Sequence, residues 1–272
     1  MLVHDALIED IDSCTLVEGE CAFWWLGQHS FIVKLAGKVL YIDPFLSDEP
    51  DRLIPPLLNA TEVTNANLVF GTHDHGDHID HPAWPDIAKA SSDAIFVVPE
   101  LVKEDLSSSL NINAERFVGL DDGRQVEVNG VKITGIAAAH EFLDRDEATG
   151  RYPYLGYVVE AEGLTVYHSG DTCIYEGLIS KLRHWKLDIA FLPINGRDAV
   201  RLSAGCIGNM TYQEAADLAG ELHPRLTVPA HFGMFGWNTV DPYLFTDYVK
   251  TKYPDLDTRL CETGKGYIFR GA

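Results

Sequence analysis

Short apolar runs typical of β-strands recur along the chain and are separated by turn residues. The first three, residues 21–26, 30–35 and 38–42, predict an opening meander that turns at Gly27 and Gly37. Two further runs, 67–70 and 94–98, have the continuous apolar character of buried strands. The beginning of the chain therefore indicates a sheet.

Later runs pair into hairpins before they begin to alternate with helical segments. Asn129-Gly130, a strong two-residue turn signal, separates residues 125–128 from 131–136. Glu162-Gly163 separates the second predicted pair, 154–161 and 164–167. The remaining strand candidates are 189–192, 226–228 and 267–270.

The clearest helix begins at Thr211, where Thr211 and Glu214 form a capping-box pattern in front of an apolar face. Other helices are predicted at 83–90, 174–183 and 243–251. Hairpins followed by strands alternating with helices favour an α/β (α+β) fold of two packed mixed sheets with helices outside. We expect residues 1–272 to form a single domain, because no linker-like segment divides them.

Composition and charge restrict the possible partners. Apolar residues make up 46% of the chain, which is enough for a substantial core. A formal net charge of -20 disfavours binding to nucleic acids and to anionic membranes. Five scattered cysteines without CxxC spacing, and a beginning without the pattern of a signal peptide, lead us to expect a cytoplasmic protein.

The segment 71–80, GTHDHGDHID, carries the strongest chemical signal. Its histidines and aspartate give H-x-H-x-D-H directly after a predicted buried strand, through His73, His75, Asp77 and His78. In an extended segment His73 and His75 would project to one side, and Gly76 would let the chain turn before the other two ligands. Imidazole and carboxylate without thiolate suit zinc, manganese or iron. The alternative is a polar loop that happens to be rich in histidine.

This motif resembles the signature of the metallo-β-lactamase superfamily, and four further landmarks follow the order found in that family. They are Asp43 after Tyr41-Ile42, His140 after Ala137-Ala-Ala, Asp171 in Ser169-Gly-Asp-Thr, and His231 in Pro229-Ala-His. The resemblance implies a four-layer αββα sandwich with a binuclear metal site at one edge.

Carried over by position, the resemblance assigns a ligand set for two divalent metal ions, Mn²⁺ or Zn²⁺. One ion would be held by His73, His75 and His140. The other would take Asp77, His78 and His231, with Asp171 bridging and Asp43 supporting the loop. Asp77 or Asp171 could then accept a proton from an attacking water.

Two further segments resemble a narrower family, the L-ascorbate-6-phosphate lactonases. They are residues 25–31, WLGQHSF, with 37–43, and residues 195–198, NGRD, with 206–215, CIGNMTYQEA. The resemblance implies opening of a phosphorylated sugar lactone, a small anionic substrate, and a homo-oligomer.

A phosphate group would require a cationic anchor in this acidic protein. Arg197 and Arg201 are the candidates, because guanidinium groups match phosphate oxygens in pairs. The alternative is that both are ordinary loop arginines, or that one pairs with Asp198. His29 and His168 are candidates for substrate contact, with a structural hydrogen bond equally possible for each.

Two other functions remain open at this level. A phosphodiesterase or phospholipase-like hydrolase could use the same metals on the same fold. A metal-binding scaffold without catalysis is the second alternative.

Overall fold

A computed structural model describes residues 4–271 of the chain and contains two mixed β-sheets. The first sheet comprises β1 (Glu20–Gly27), β2 (Ser30–Leu35), β3 (Lys38–Ile42), β4 (Leu68–Phe70), β5 (Ile95–Pro99), β6 (Phe117–Leu120) and β13 (Gly266–Arg270). The strand order is β13-β1-β2-β3-β4-β5-β6. Strands β13 to β3 pair antiparallel, and β3 to β6 pair parallel.

The second sheet follows from the two predicted hairpins. Its strands are β7 (Gln125–Val128), β8 (Val131–Ala137), β9 (Leu155–Ala161), β10 (Leu164–His168), β11 (Ile189–Pro193) and β12 (Leu226–Ala230), in the order β12-β11-β10-β9-β8-β7. Strands β7 to β10 are antiparallel, whereas β10, β11 and β12 run parallel because helices connect them.

Helices cover the outer faces of both sheets. The first sheet is covered by α1 (His4–Ser13), α2 (Trp84–Ala90) and α3 (Lys103–Ser109). The second sheet is covered by α4 (Leu178–Leu182), α6 (Tyr212–Leu222) and α7 (Tyr243–Lys252). A short helix, α5 (Ala199–Ser203), lies between β11 and α6. No helix within residues 4–271 is long and apolar enough to cross a membrane.

Strand β1 shows why the layers form. Almost all of its residues are buried, and successive side chains point to opposite faces. Phe23 and Trp25 enter the core between the two sheets, whereas Ala22 and Trp24 pack in the core under the outer helices. An apolar strand with two buried faces needs a layer on each side. The predicted αββα sandwich is confirmed.

Four elements were absent from the sequence prediction: β6, α1, α3 and α5. Strand β6 is short and contains Gly119, which weakens its strand pattern. Helix α3 ends in three serines, which are poor helix formers. The helix predicted over 174–183 is limited to Leu178–Leu182 and follows Gly177, whose φ is +98°.

One edge of the sandwich collects the ends of strands from both sheets. In the first sheet, Asp43 follows β3 and Gly71 follows β4. In the second sheet, the connections after β8, β10 and β12 carry His140, Asp171 and His231. The fold therefore assembles the predicted ligands at a seam between two separately built sheets.

Candidate metal centre

The loop after β4 turns tightly instead of remaining extended. The His75 amide donates to the His73 carbonyl at 3.0 Å, and the His78 amide donates to the His75 carbonyl at 2.9 Å. The sequence argument for an extended segment is therefore wrong, because consecutive turns direct the side chains. Gly71 lets the loop begin against the core, since a Cβ there would lie 2.7 Å from Cδ1 of Ile79 and 2.9 Å from Cη2 of Trp84.

The turns bring His73 and His75 together with His140 from the second sheet. One ligand atom from each of the three lies within 4.8 Å of the others. Nδ1 of His140 lies 3.2 Å from the Gly208 carbonyl, which can only accept, so Nδ1 carries the proton and Nε2 is free to bind a cation. These three histidines form the first predicted group.

The second group contains Asp77, His78 and His231, and its ligand atoms also lie within 4.8 Å of one another. Nε2 of His78 is 3.6 Å from Oδ2 of Asp77, and Nε2 of His231 is 3.9 Å from the same oxygen. The His231 backbone has a φ of +58°, a left-handed conformation that is uncommon for a residue with a side chain. Such backbone strain is often found at functional sites.

Asp171 lies between the two groups. Its Oδ2 is 2.9 Å from Nε2 of His231, 3.4 Å from Nε2 of His78 and 3.7 Å from Nε2 of His140. His73, His78 and Asp171 also form a compact triplet of their own. The Asp171 carboxylate therefore lies close to both groups of predicted ligands.

Asp43 organises the loop from behind. Its Oδ1 accepts the Thr72 amide at 2.8 Å, and its Oδ2 accepts the Thr72 hydroxyl at 2.7 Å. Oδ2 also accepts from Nδ1 of His78 at 2.6 Å. Because Nδ1 is engaged by Asp43, the other ring nitrogen of His78, Nε2, points toward Asp77 and Asp171. A carboxylate that holds a histidine in this way fixes its orientation and tautomer.

Two supporting residues were missed by the sequence reasoning. Nε2 of Gln28 donates to Asp77 at 2.9 Å, and Nδ2 of Asn209 donates to Asp171 at 2.9 Å. Gln28 lies in the turn after β1, and Asn209 precedes the capped helix α6. Both residues lie within the motifs that resemble the lactonase family, and this was the one sequence signal that could have identified them. The position of either amide relative to the predicted ligands does not by itself indicate a role at a metal site.

His29 and His168 are completely buried behind Asp171. Nδ1 of His29 donates to Oδ1 of Asp171 at 3.2 Å, and Nε2 of His168 donates to the His29 carbonyl at 2.9 Å. Burial lowers the pKa of His29 to about 4 and that of His168 to about 3, so both rings are neutral near pH 7. Their placement corrects the expectation of substrate contact: these histidines position Asp171 and do not face the cleft.

Electrostatics divide the centre into neutral and charged parts. Burial, followed by the nearby His78 and His75, holds the pKa of His73 well below its usual value. Burial alone would lower the pKa of His78, but Asp171, Asp77 and Asp43 raise it well above its usual value. Burial would likewise raise the pKa of Asp171, yet His231 and His78 hold it well below its usual value. A positive charge is therefore most stabilised near His78, between the carboxylates of Asp43, Asp77 and Asp171.

The residues fit a divalent metal centre on two observations. Nε2 of His78 is buried without a hydrogen-bond partner, although it points at two carboxylates. A buried ring nitrogen without a hydrogen-bond partner is costly unless something binds it. The donor set of imidazoles and carboxylates without thiolate also suits Zn²⁺ or Mn²⁺.

The centre opens into a cleft of about 640 Å³. His75, Asp77, His140, Asp171 and His231 line its floor. Its rim contains the acidic residues Glu49, Asp51 and Asp74 and the aromatic residues Phe45, Phe235 and Trp237. Among the described residues, no lysine or arginine lines this cleft.

Both candidate phosphate anchors lie outside the cleft wall and are used by other contacts. Arg197 makes a paired interaction with Glu214, at 2.7 and 2.8 Å. Arg201 donates to Asp198 at 2.6 Å and to the Asn195 carbonyl at 2.9 Å. The Arg197 guanidinium is thus engaged by Glu214 of α6, and that of Arg201 by its own loop, which differs from the placement that a phosphate anchor requires.

Comparison with known proteins agrees with this architecture. A family model described as a β-lactamase superfamily domain matches residues 39–232. A UPF0173 metal-dependent hydrolase of Pyrococcus abyssi is 32% identical, over 84% of this chain and 92% of its own length. Another, from Methanopyrus kandleri, is 30% identical, over 89% of this chain and 97% of its own length.

A solved structure shares the fold. It is Igni18, described as a metallo hydrolase from the archaeon Ignicoccus hospitalis, with 22% identity and a TM-score of 0.72. The alignment covers 93% of this chain and 100% of that one. The family model spans most of the present chain, and the seven predicted ligands meet at the seam of its two sheets. The chain belongs to the metallo-β-lactamase superfamily.

Proposed function

We propose that this protein is a metal-dependent hydrolase that opens lactones by attack of water on the ring carbonyl. The observation that carries the proposal is the convergence of two histidine-rich groups on one shared carboxylate, Asp171, at the floor of an open cleft. The relatives described as metal-dependent hydrolases support the reaction class. Lactone opening is the narrower part of the proposal and comes from the resemblance in residues 25–43 and 195–215.

The metal centre would be held by His73, His75 and His140 on one side and by Asp77, His78 and His231 on the other, with Asp171 between them. Bound divalent ions at such a centre supply an activated water at neutral pH and polarise a carbonyl oxygen.

The protein's own contribution is proton transfer and positioning. Asp77 borders the cleft and retains partial exposure, so its carboxylate can take the proton of the attacking water and return it to the ring oxygen that leaves. Gln28 fixes this carboxylate by donating to Oδ2. Asp171 stays ionised and is held by Asn209 and His29 from two directions.

The phosphorylated sugar lactone remains the narrowest hypothesis for the substrate. A metal centre could attract an anion by itself, but the acidic rim and the committed arginines offer no separate phosphate anchor. L-Ascorbate 6-phosphate should therefore be compared directly with an uncharged lactone.

The test uses protein stripped of metal and reloaded with Mn²⁺ or with Zn²⁺. Hydrolysis of L-ascorbate 6-phosphate, γ-butyrolactone and bis(p-nitrophenyl) phosphate is measured, with Asp171→Asn as the matched isosteric control. Metal content is determined for every sample. We expect metal-dependent lactone opening that the substitution abolishes.

Turnover of the phosphodiester alone would contradict the lactone hypothesis and favour the phosphodiesterase alternative. Full metal loading without turnover of any ester would favour the non-catalytic scaffold. Lactone opening confined to the uncharged compound would retain the reaction and reject the sugar phosphate.

A further inference from the structure

A second, apolar cavity of about 430 Å³ adjoins the metal cleft. Its wall is formed by Val200, Arg201, Ala204, Gly205, Cys206 and Trp237, and we call it the side groove. Gly205, Cys206 and Trp237 also line the cleft, so the two cavities share a wall. The side groove is therefore the apolar surface beside a molecule bound at the metal centre.

The walls of the side groove expose large apolar side chains to water. Val200 is 77% exposed and Trp237 is 56% exposed. The Trp237 ring stacks on Phe235 with centroids 5.5 Å apart, which holds it at the junction of the two cavities. Adjacent exposed apolar side chains beside a reaction centre are typical of a ligand-binding surface.

A polar link connects the two walls of the groove. The Arg201 guanidinium donates to the Asn195 carbonyl at 2.9 Å and to Oδ1 of Asn238 at 3.0 Å. The Asn195 amide donates to the same Asn238 oxygen at 2.8 Å. Asn238 follows Trp237, so this link ties one wall of the groove to helix α5 on the other. A preformed groove loses little conformational freedom when a ligand binds.

Charge indicates which part of a ligand this groove would accept. Arg201 is the one cation among its described lining residues, and Asp198 neutralises it at 2.6 Å. The neighbouring rim is acidic through Glu49 and Asp51. An anionic substituent would lie beside this acidic rim and an arginine that is already neutralised, whereas an uncharged apolar chain would meet Val200, Ala204 and Trp237.

We infer that the side groove binds an uncharged alkyl or aryl substituent of the substrate while the ester carbonyl lies at the metal centre. The inference rests on the proposed function for its reaction and narrows the substrate class to apolar-substituted esters or lactones. It departs from the sugar phosphate hypothesis, because the groove complements carbon and not phosphate. Arg201 then has a structural role, because its hydrogen bonds to Asn195 and Asn238 connect helix α5 to the segment that carries Trp237.

The first test measures kcat/KM for a series of γ-lactones with hydrogen, ethyl, butyl and hexyl substituents, using metal-reloaded protein. Burial of each additional methylene should raise kcat/KM about two- to four-fold until the groove is filled.

The substitution Ala204→Phe, at an exposed position of the wall, fills the groove and should reduce kcat/KM for the hexyl compound at least about ten-fold. Val17→Phe adds the same ring at a 65% exposed site beyond the opposite end of β1 and should change nothing.

The second test does not require turnover. Binding of octanamide and of butanamide to the metal-reloaded protein is followed through indole N–H resonances, with Trp237→Phe identifying the Trp237 signal. Octanamide should shift this signal at concentrations where butanamide does not, and Ala204→Phe should weaken the shift.

The two tests separate the two hypotheses. Octanamide binding at Trp237 without hydrolysis of any lactone would support the groove and contradict the proposed function. Lactone hydrolysis that does not depend on chain length, with no octanamide binding, would retain the function and overturn the groove. A dimer that Val200→Asp converts to a monomer, together with flat chain-length dependence, would also overturn it by identifying the surface as a contact between copies.

Discussion

The metal centre and the side groove adjoin each other but are built in opposite ways. In the centre, nearly every side chain is buried and held by another polar group, as Asp43 holds His78 and Asn209 holds Asp171. In the groove, the apolar side chains Val200 and Trp237 face water, and the walls are held by the Trp237–Phe235 stack and the hydrogen bonds of Arg201. The comparison places the predicted metal ligands at and just after strand ends, and the exposed apolar wall on the loops beside them.

The difference also has an energetic side. A buried polar network is sensitive to loss of any one partner, because the remaining groups are left unsatisfied. An exposed apolar wall loses only contacts with its ligand. Substitutions in the centre should therefore affect metal, stability and rate together, whereas those in the groove should affect chiefly the choice of substrate.

The largest effect is expected from Asp171→Asn in the centre. The substitution removes the negative charge that three histidines share, and kcat/KM should fall by roughly 10²–10³-fold or more. Steady-state kinetics with metal analysis measures both consequences. Unchanged activity at full metal loading would remove Asp171 from the proposed role.

Removing the metal should lower the stability of the whole sandwich. At a free metal concentration about one hundred times the dissociation constant, binding contributes about 2.7 kcal/mol to the free energy of unfolding. Chelation should therefore lower the Tm by several degrees, and readdition of Mn²⁺ or Zn²⁺ should restore it. A Tm that does not respond to chelator, in protein shown to have contained metal, would contradict a site shared between the two sheets.

A smaller effect is expected for Asp43→Asn, which keeps the shape of the side chain and removes its charge. His78 would lose the carboxylate that orients it, and metal affinity should fall about 10- to 100-fold. Competition with a coloured chelator measures this change. Asp86→Asn, in an exposed pair with Lys89, is the matched control and should leave the affinity unchanged.

The smallest effect is expected for Arg197→Ala, in the loop beside the groove. The Arg197–Glu214 pair lies near the surface, so its loss should lower the free energy of unfolding by no more than about 1 kcal/mol. KM for L-ascorbate 6-phosphate should stay within about two-fold of its original value, because the guanidinium faces Glu214. A large rise in KM for this substrate, without a rise for γ-butyrolactone, would restore Arg197 as a phosphate anchor.

Features that depend on neighbouring residues along the chain could be predicted from the sequence. Most strands and hairpins followed from apolar periodicity and turn residues such as Asn129-Gly130, whose effects are local, whereas the αββα sandwich followed from the family resemblance. The first four ligand candidates followed from the spacing in residues 73–78, and the other three followed from the family resemblance. Whether these residues bind metal stays a prediction.

Properties that depend on distant partners could not be predicted in this way. The tight turns at His75, and the close packing of Gly71 against Trp84 before them, are not revealed by any periodicity. Arg197 looked available for phosphate because its pairing with Glu214 requires α6 to fold against the loop. His29 could be placed behind Asp171 only once both sheets were assembled.

The seam between the sheets has a consequence for how the protein could be divided. A cut in the turn at Gly123, between β6 and β7, would leave His73, His75, Asp77 and His78 on one fragment. His140, Asp171 and His231 would remain on the other, so neither fragment would carry the complete ligand set of either ion. Metal uptake by the mixed fragments would then report their reassembly, much as a reporter split into two halves regains its signal only when the halves meet.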